Sequence, residues 1–158
     1  MNNKFEKKAI EELLADLPRK EMEEVFSEKG VFVLLDTNFL FVMFQFHIDV
    51  ISVIRELVGQ SAKFGILEGT VHELSAIERK KTKNKKFLLL ISTLLHRYSF
   101  CVLSSEEHYV DKDILKLLQE KKREHLVIAT NDKALRQLIK KEGTRNIYLR
   151  QKQYLALE

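Results

Sequence analysis

Five short apolar runs, each set off by an amphipathic stretch, constrain this chain more than any other feature. VFVLL (31–35), FGIL (64–67), FCVL (100–103), HLVIAT (125–130) and NIYL (146–149) have strand length and are mostly Val, Ile, Leu and Phe. Between them, residues 48–58, 70–80, 86–97, 111–122 and 132–141 place apolar side chains at helical spacing. Strand alternating with helix predicts an α/β chain, a three-layer sandwich around a mostly parallel five-stranded sheet. The runs are nearly continuous in apolar residues, as strands covered on both faces should be. In such sheets right-handed crossovers bring every strand's carboxyl end to one edge, and ligands bind there.

Upstream, Phe5, Ala9, Ile10, Leu13, Leu14 and Leu17 repeat at helical spacing, and Pro18 suits the start of a second short helix ending near Ser27. No repeat or Pro/Gly-rich linker divides the chain. Residues 1–30 therefore read as an N-terminal helical extension, packed on the domain or docked onto a partner, and residues 31–158 as the domain itself. A hydrophobic content of 45% supplies a core, and no uncharged apolar run is long enough to span a membrane. The start of the chain lacks an apolar signal core, which predicts an intracellular, cytoplasmic protein with no membrane partner. The single cysteine, Cys101, lies within FCVL and reads as a core thiol.

The acids follow the strands. Asp36 comes directly after the first run, Glu73 sits early in the helix after the second, Asp111 opens the helix after the third, and Asp132 follows the fourth. Any one of them reads as a helix cap or a dipole partner. All four on one sheet edge would repel and raise one another's pKa unless a cation sat between them. Oxygen donors without His or Cys favour a hard ion, magnesium or manganese, which can activate water and stabilise the oxygens of an in-line phosphate displacement.

The runs VFVLLDTNFL, VHEL, VDKDILKLL and VIATND, in this order, resemble the four motifs of PIN-domain nucleases, and NIYLRQKQYLALE is similar to the end of the archaeal and eukaryotic branch associated with small-subunit pre-rRNA processing. The resemblance covers residue 31 to the end. It implies a PIN-like fold and a metal-dependent endoribonuclease with Asp36, Glu73, Asp111 and Asp132 as catalytic and metal-binding residues. It also implies Mg2+ or Mn2+ as cofactor and an rRNA precursor as substrate. Asn38 matches a position that supports the first acid by hydrogen bonds. Thr37, Thr130 and Asn131 match its polar neighbours, although turn chemistry alone accounts for Thr37 and Asn38 equally well. The third motif departs from that branch, which carries two adjacent aspartates. Here Lys112 follows Asp111, and Asp113, turned about 200° around the helix, reads as a solvated acid.

The net charge of +4 decides little, but its distribution is informative. Arg79, Lys80, Lys81, Lys83, Lys85 and Lys86 form one basic run and Lys121, Lys122 and Arg123 another, and either can be a solvated surface or meet a phosphate backbone. The first is the candidate RNA-binding surface. Phe39, Phe41, Phe44 and Phe46 read as core or as a homodimer face, and the five histidines as ordinary surface or helix residues. Two alternatives stay open beside rRNA processing: a ribonuclease toxin of a VapBC-type pair with an antitoxin partner, and an RNA-binding or scaffold module, weak in catalysis, working with ribosome-assembly proteins. A phosphoacceptor aspartate at position 36 is disfavoured, because Asn38 stands where a second acid would be needed.

Overall fold

A computed structural model describes residues 9–80, 83–105, 109–120 and 125–158. The sequence expectations for residues 1–8, Lys81, His108, Lys121, Lys122 and Arg123 fall outside these. The strands are β1 (Arg19–Lys20), β2 (Phe32–Leu35), β3 (Lys63–Leu67), β4 (Cys101–Leu103), β5 (Leu126–Ala129), β6 (Arg145–Arg150) and β7 (Tyr154–Leu157). The helices are α1 (Ile10–Leu14), α2 (Met22–Ser27), α3 (Val42–Phe46), α4 (Val50–Val58), α5 (Glu68–Arg79), α6 (Leu88–Arg97), α7 (Val110–Gln119) and α8 (Lys133–Lys141).

The strands form one sheet in the order β1-β4-β3-β2-β5-β6-β7, parallel throughout except for the final β6–β7 hairpin. The α/β sandwich is as expected, but with seven strands rather than five. Each apolar run alternates between the two faces. Val33, Leu35, Val127 and Ala129 pack under α1 and α3 to α6, while Phe32, Leu34, Leu126 and Ile128 pack under α2, α7 and α8. Both layers are needed to keep these strands dry, and this is why periodicity of two is hidden in the sequence.

The two unexpected strands lie at the sheet edges. β1 is only Arg-Lys, and it joins β4 through backbone bonds, Val102 N–H to Pro18 O at 2.8 Å and Ser104 N–H to Lys20 O at 3.1 Å. A charged pair of residues carries no apolar signature to read. The segment after Pro18 is thus a strand before it becomes a helix.

The N-terminal segment is accordingly built into the domain. Ile10 and Leu14 are fully buried against α5 and α6, and the Ile10 N–H donates to Glu78 Oε2 at 2.9 Å. Arg19 Nη1 closes the end of α1 by donating to the Leu14 and Leu17 carbonyls at 2.7 and 2.8 Å. Downstream, α4 is capped by Asp49, whose side chain accepts from the Ser52 N–H, and stopped by Gly59 at φ 120°. Leu14→Ala is expected to lower global stability by about 2–5 kcal/mol, the range for a large-to-small change in a core. Denaturant unfolding checks this, and a loss below about 0.5 kcal/mol would mean that α1 is only draped on the surface.

Candidate active site

The sheet reverses direction of growth between β2 and β5: the chain leaves β2 toward β3 on one side, and β5 begins the other half. At such a switch point the loops after the two strands diverge and leave a crevice. Asp36 and Asp132 come from those two loops.

Asp36 is 6% exposed, and its N–H donates to Ala129 O at 3.0 Å, extending the β2–β5 ladder by one bond. Its carboxylate accepts two hydrogen bonds, from the Thr37 N–H to Oδ1 and from the Thr130 hydroxyl to Oδ2, both at 2.8 Å. The Thr130 hydroxyl oxygen accepts in turn from the Asp132 N–H at 3.2 Å. Thr130 is fully buried, so one hydroxyl couples the two aspartates.

Thr37 opens a 3-10 turn, Thr37–Phe41, that sinks Phe39, Leu40 and Phe41 into the core. Its hydroxyl lies 3.0 Å from Thr70 Oγ1 on α5 and favours the ionised form of Glu73, one turn further along that helix. Thr70 is fully buried, and its place before VHEL is the only sign of its role that sequence offers.

The remaining three acids stand on the exposed rim of the crevice. Asp132 caps α8 with Oδ1, which accepts from the Leu135 N–H at 2.9 Å. Asp111 sits in the first turn of α7. Asp36 has its pKa raised, first by burial and then by the charges of Asp111 and Asp132, against the lowering effect of its two hydrogen bonds. Glu73 is raised by partial burial of its carboxyl and by the charges of Asp36 and Asp111. Asp36 therefore feels the charges of Asp111 and Asp132, and Glu73 those of Asp36 and Asp111, and none of the four forms an ion pair with a described residue. Among the described residues, no three His, Cys, Asp or Glu side chains are drawn into a ready coordination sphere. The fit to a divalent ion rests instead on the donor set: a fixed, buried carboxylate and three rim carboxylates, none in an ion pair with a described basic residue.

The supporting residues divide. Thr37 and Thr130 bond Asp36 directly. Asn131 turns to the neighbouring strand, its Oδ1 accepting from the Leu149 N–H at 2.6 Å. Asn38 is exposed, and the two bonds given to Asp36 come from the threonines.

Asp113 corrects the expectation of a solvated acid. It is 4% exposed, within the α7 stripe of Val110, Ile114, Leu117 and Leu118 that packs on the sheet, and its Oδ2 has no hydrogen-bond partner. It faces a cavity of about 970 Å³ between α2 and α7, lined also by Leu67, Ser104 and Phe26, which excludes the four acids. The phenylalanines after Asp36 lie in or against the core, Phe44 stacking on Phe87 at 5.8 Å between ring centroids. The basic residues Arg79, Lys80, Lys83, Lys85 and Lys86 are exposed.

Residues 33–152 match the family described as PIN like domain. Among curated proteins the chain is similar to Ribonuclease VapC4 of Methanocaldococcus jannaschii, 25% identical over 126 residues, covering 79% of this chain and 95% of that protein. Among solved structures it resembles the PIN domain endonuclease Utp24, with a TM-score of 0.63 at 20% identity over 80% of this chain and 90% of that one. That last likeness is one of fold.

The raised pKa of Asp36 fixes a sign. In metal-free protein the unfolded chain loses this proton at lower pH than the folded chain, so stability falls as pH rises through the folded pKa. Asp36→Asn removes the buried charge and keeps the shape. Its melting temperature in EDTA should exceed that of the parent at neutral pH, and the gain should vanish below about pH 4, where the unfolded aspartate is itself protonated. Thermal unfolding across that range tests it. A variant less stable than the parent at neutral pH would mean that the carboxylate is well accommodated as a charge.

Proposed function

Because the chain belongs to the PIN-like domain family of nucleases, we propose that it is a divalent-metal-dependent endoribonuclease that hydrolyses phosphodiester bonds in RNA. The observation that carries the proposal is Asp36, a buried carboxylate at the switch point, ringed by three acids and lacking any basic partner among the described residues. Asp36, Glu73, Asp111 and Asp132 would hold the ion, and their all-oxygen set suits Mg2+ or Mn2+. When bound, such an ion activates water and neutralises charge on the phosphate.

The chain's own residues do the rest. Thr37 and Thr130 fix the orientation of Asp36, so that one acid is preorganised, and the rim acids would supply the remaining oxygen donors to an ion. Thr130 also ties the Asp132 backbone to the same point, so the distance between the two aspartates is set by a buried hydroxyl rather than by a loop. The nearness of the four acids disfavours phosphate binding until a cation is present, which makes metal the first ligand and RNA the second.

The motif resemblance and the C-terminal run NIYLRQKQYLALE support an rRNA precursor as the substrate, cut in the cytoplasm among ribosome-assembly proteins. The likeness to Ribonuclease VapC4 supports the second reading, a toxin held by an antitoxin. Expression that arrests growth, relieved by the product of a neighbouring small gene, separates the second from the first.

Purified protein should cleave single-stranded or structured RNA with Mn2+ or Mg2+ and not with EDTA. Asp36→Asn should lower the rate by more than about 100-fold, the loss expected when several kcal/mol of transition-state stabilisation go with the metal. Equal cleavage by parent and variant would mean a contaminating nuclease and would remove Asp36 from the site. RNA binding without cleavage in any divalent ion would leave the scaffold reading.

A further inference from the structure

We propose that a collar of Tyr109, Lys112, Lys133, Arg150, Lys152 and Tyr154 around the carboxylate edge grips an RNA single strand, in place of the basic run at 79–86. This rests on the nuclease reading for its substrate and deepens it by naming the strand type and the surface.

Two of the cations flank the acids directly. Lys112 follows Asp111 and Lys133 follows Asp132, at the starts of α7 and α8. Both are exposed, and neither forms an ion pair with a described residue, although each has an acid beside it in sequence. Arg136, one turn along the same helix from Lys133, shows the alternative, bonded to Glu158 at 3.0 Å and stacked on the Tyr148 ring at 3.7 Å. The collar lysines keep their charge available for a phosphate.

The other two cations come from the β6–β7 hairpin. Ile147 pairs with Ala129, and the Leu149 N–H is held by Asn131 Oδ1, one residue before Asp132. Arg150 and the turn after it therefore project past the end of β5, on the edge where the acids stand. In that turn Gln151 and Lys152 both hold left-handed backbone, φ 54° and 55°, which non-glycine residues adopt at a cost. The Asn131 bond fixes where this turn stands relative to Asp132, so Asn131 is a positioning residue for the strand.

Tyr109 is 64% exposed and Tyr154 43%, large rings that the core does not use. Lys112 Nζ lies 5.0 Å from the Tyr109 ring centroid, which couples a cation to a ring face next to Asp111. Rings beside a charged track bind single strands, because only an unpaired base offers its face for stacking. In the run at 79–86 Lys86 Nζ also lies 5.0 Å from a ring centroid, that of Phe87, but this ring is half-buried and stacked on Phe44, so its faces are less open to a base, and Arg79 lies at the far end of α5 from β3.

The test is fluorescence anisotropy with a labelled oligouridylate, on the full chain with all four acids intact and in calcium, which suits oxygen donors, across a salt series. Lys112→Ala and Lys152→Ala should each weaken binding and flatten the log–log salt slope by about 0.7 for each phosphate they no longer neutralise. Tyr109→Leu should weaken binding by about 5- to 100-fold with the slope unchanged. A Lys83/Lys85/Lys86→Ala chain should bind as the parent does, and duplex RNA should compete poorly. The collar is overturned if oligouridylate does not bind, if duplex binds as well, or if the triple variant flattens the slope while the collar variants do not. Cleavage is read separately on the unsubstituted chain. Its absence with the binding pattern intact sinks the nuclease reading and keeps the collar, whereas cleavage with unaltered collar variants does the reverse. All substituted collar side chains are exposed, and melting curves confirm that the variants fold.

Discussion

The buried carboxylate of Asp36 is the interaction on which the edge of this sheet is organised. A charge removed from water must be hydrogen-bonded or neutralised, and here two donors from two different strand ends converge on it. The Thr130 donor has a second duty, accepting the Asp132 N–H, and the Thr37 donor meets Thr70 from α5. Three segments far apart in sequence are therefore pinned at one point by side chains with a single hydroxyl each. Burial still wins over these bonds, since the Asp36 pKa stays raised. The protein stops short of satisfying this charge, which is the condition under which a cation from outside gains most.

The two sheet edges explain why the N-terminal segment and the last few residues cannot be treated as appendages. A seven-stranded sheet exposes two rows of unpaired backbone groups unless something short or charged lies there. β1 is two charged residues long, and β7 runs antiparallel on β6, with Glu158 just after it bonded to Asn146 in both directions, 2.8 and 3.0 Å. α1 meanwhile caps the layer over α5, the helix that carries Thr70 and Glu73. Loss of that packing would reach the site through α5 rather than directly.

The central strands and the places of the acids are legible in the sequence because both follow from period and order. VFVLL, FGIL, FCVL and HLVIAT announce strands buried on both sides, and an acid after a parallel strand must fall on the carboxyl edge. What stays hidden depends on tertiary pairing. β1 has no apolar residue, and β7 is a short run that a sequence reading merges into the tail. Thr70 reads as an ordinary threonine until its hydroxyl is seen against Thr37. Asn131 reads as a neighbour of Asp132, whereas its side chain serves β6. The solvated reading of Asp113 fails for a more instructive reason. Its rotation away from Asp111 is correct, but away from the acids on this helix means toward the sheet, along the stripe of Val110, Ile114 and Leu117.

That geometry gives the altered third motif a physical meaning. α7 lies flat on the sheet, so after the buried Val110 its first turn puts Asp111 on the rim, Lys112 in solvent and Asp113 inside. An acid at 112 would point to solvent beside Asp111 and add repulsion to a rim already rich in negative charge. A lysine there leaves the other acids untouched and places a cation beside Asp111, where on the proposed reading a phosphate backbone would approach Asp36. The departure thus changes the outer field of the edge and leaves Asp36, Glu73, Asp111 and Asp132 in place. On the proposed reading, metal affinity and RNA affinity would be set by different residues of one helical turn, so that each could vary without dismantling the other.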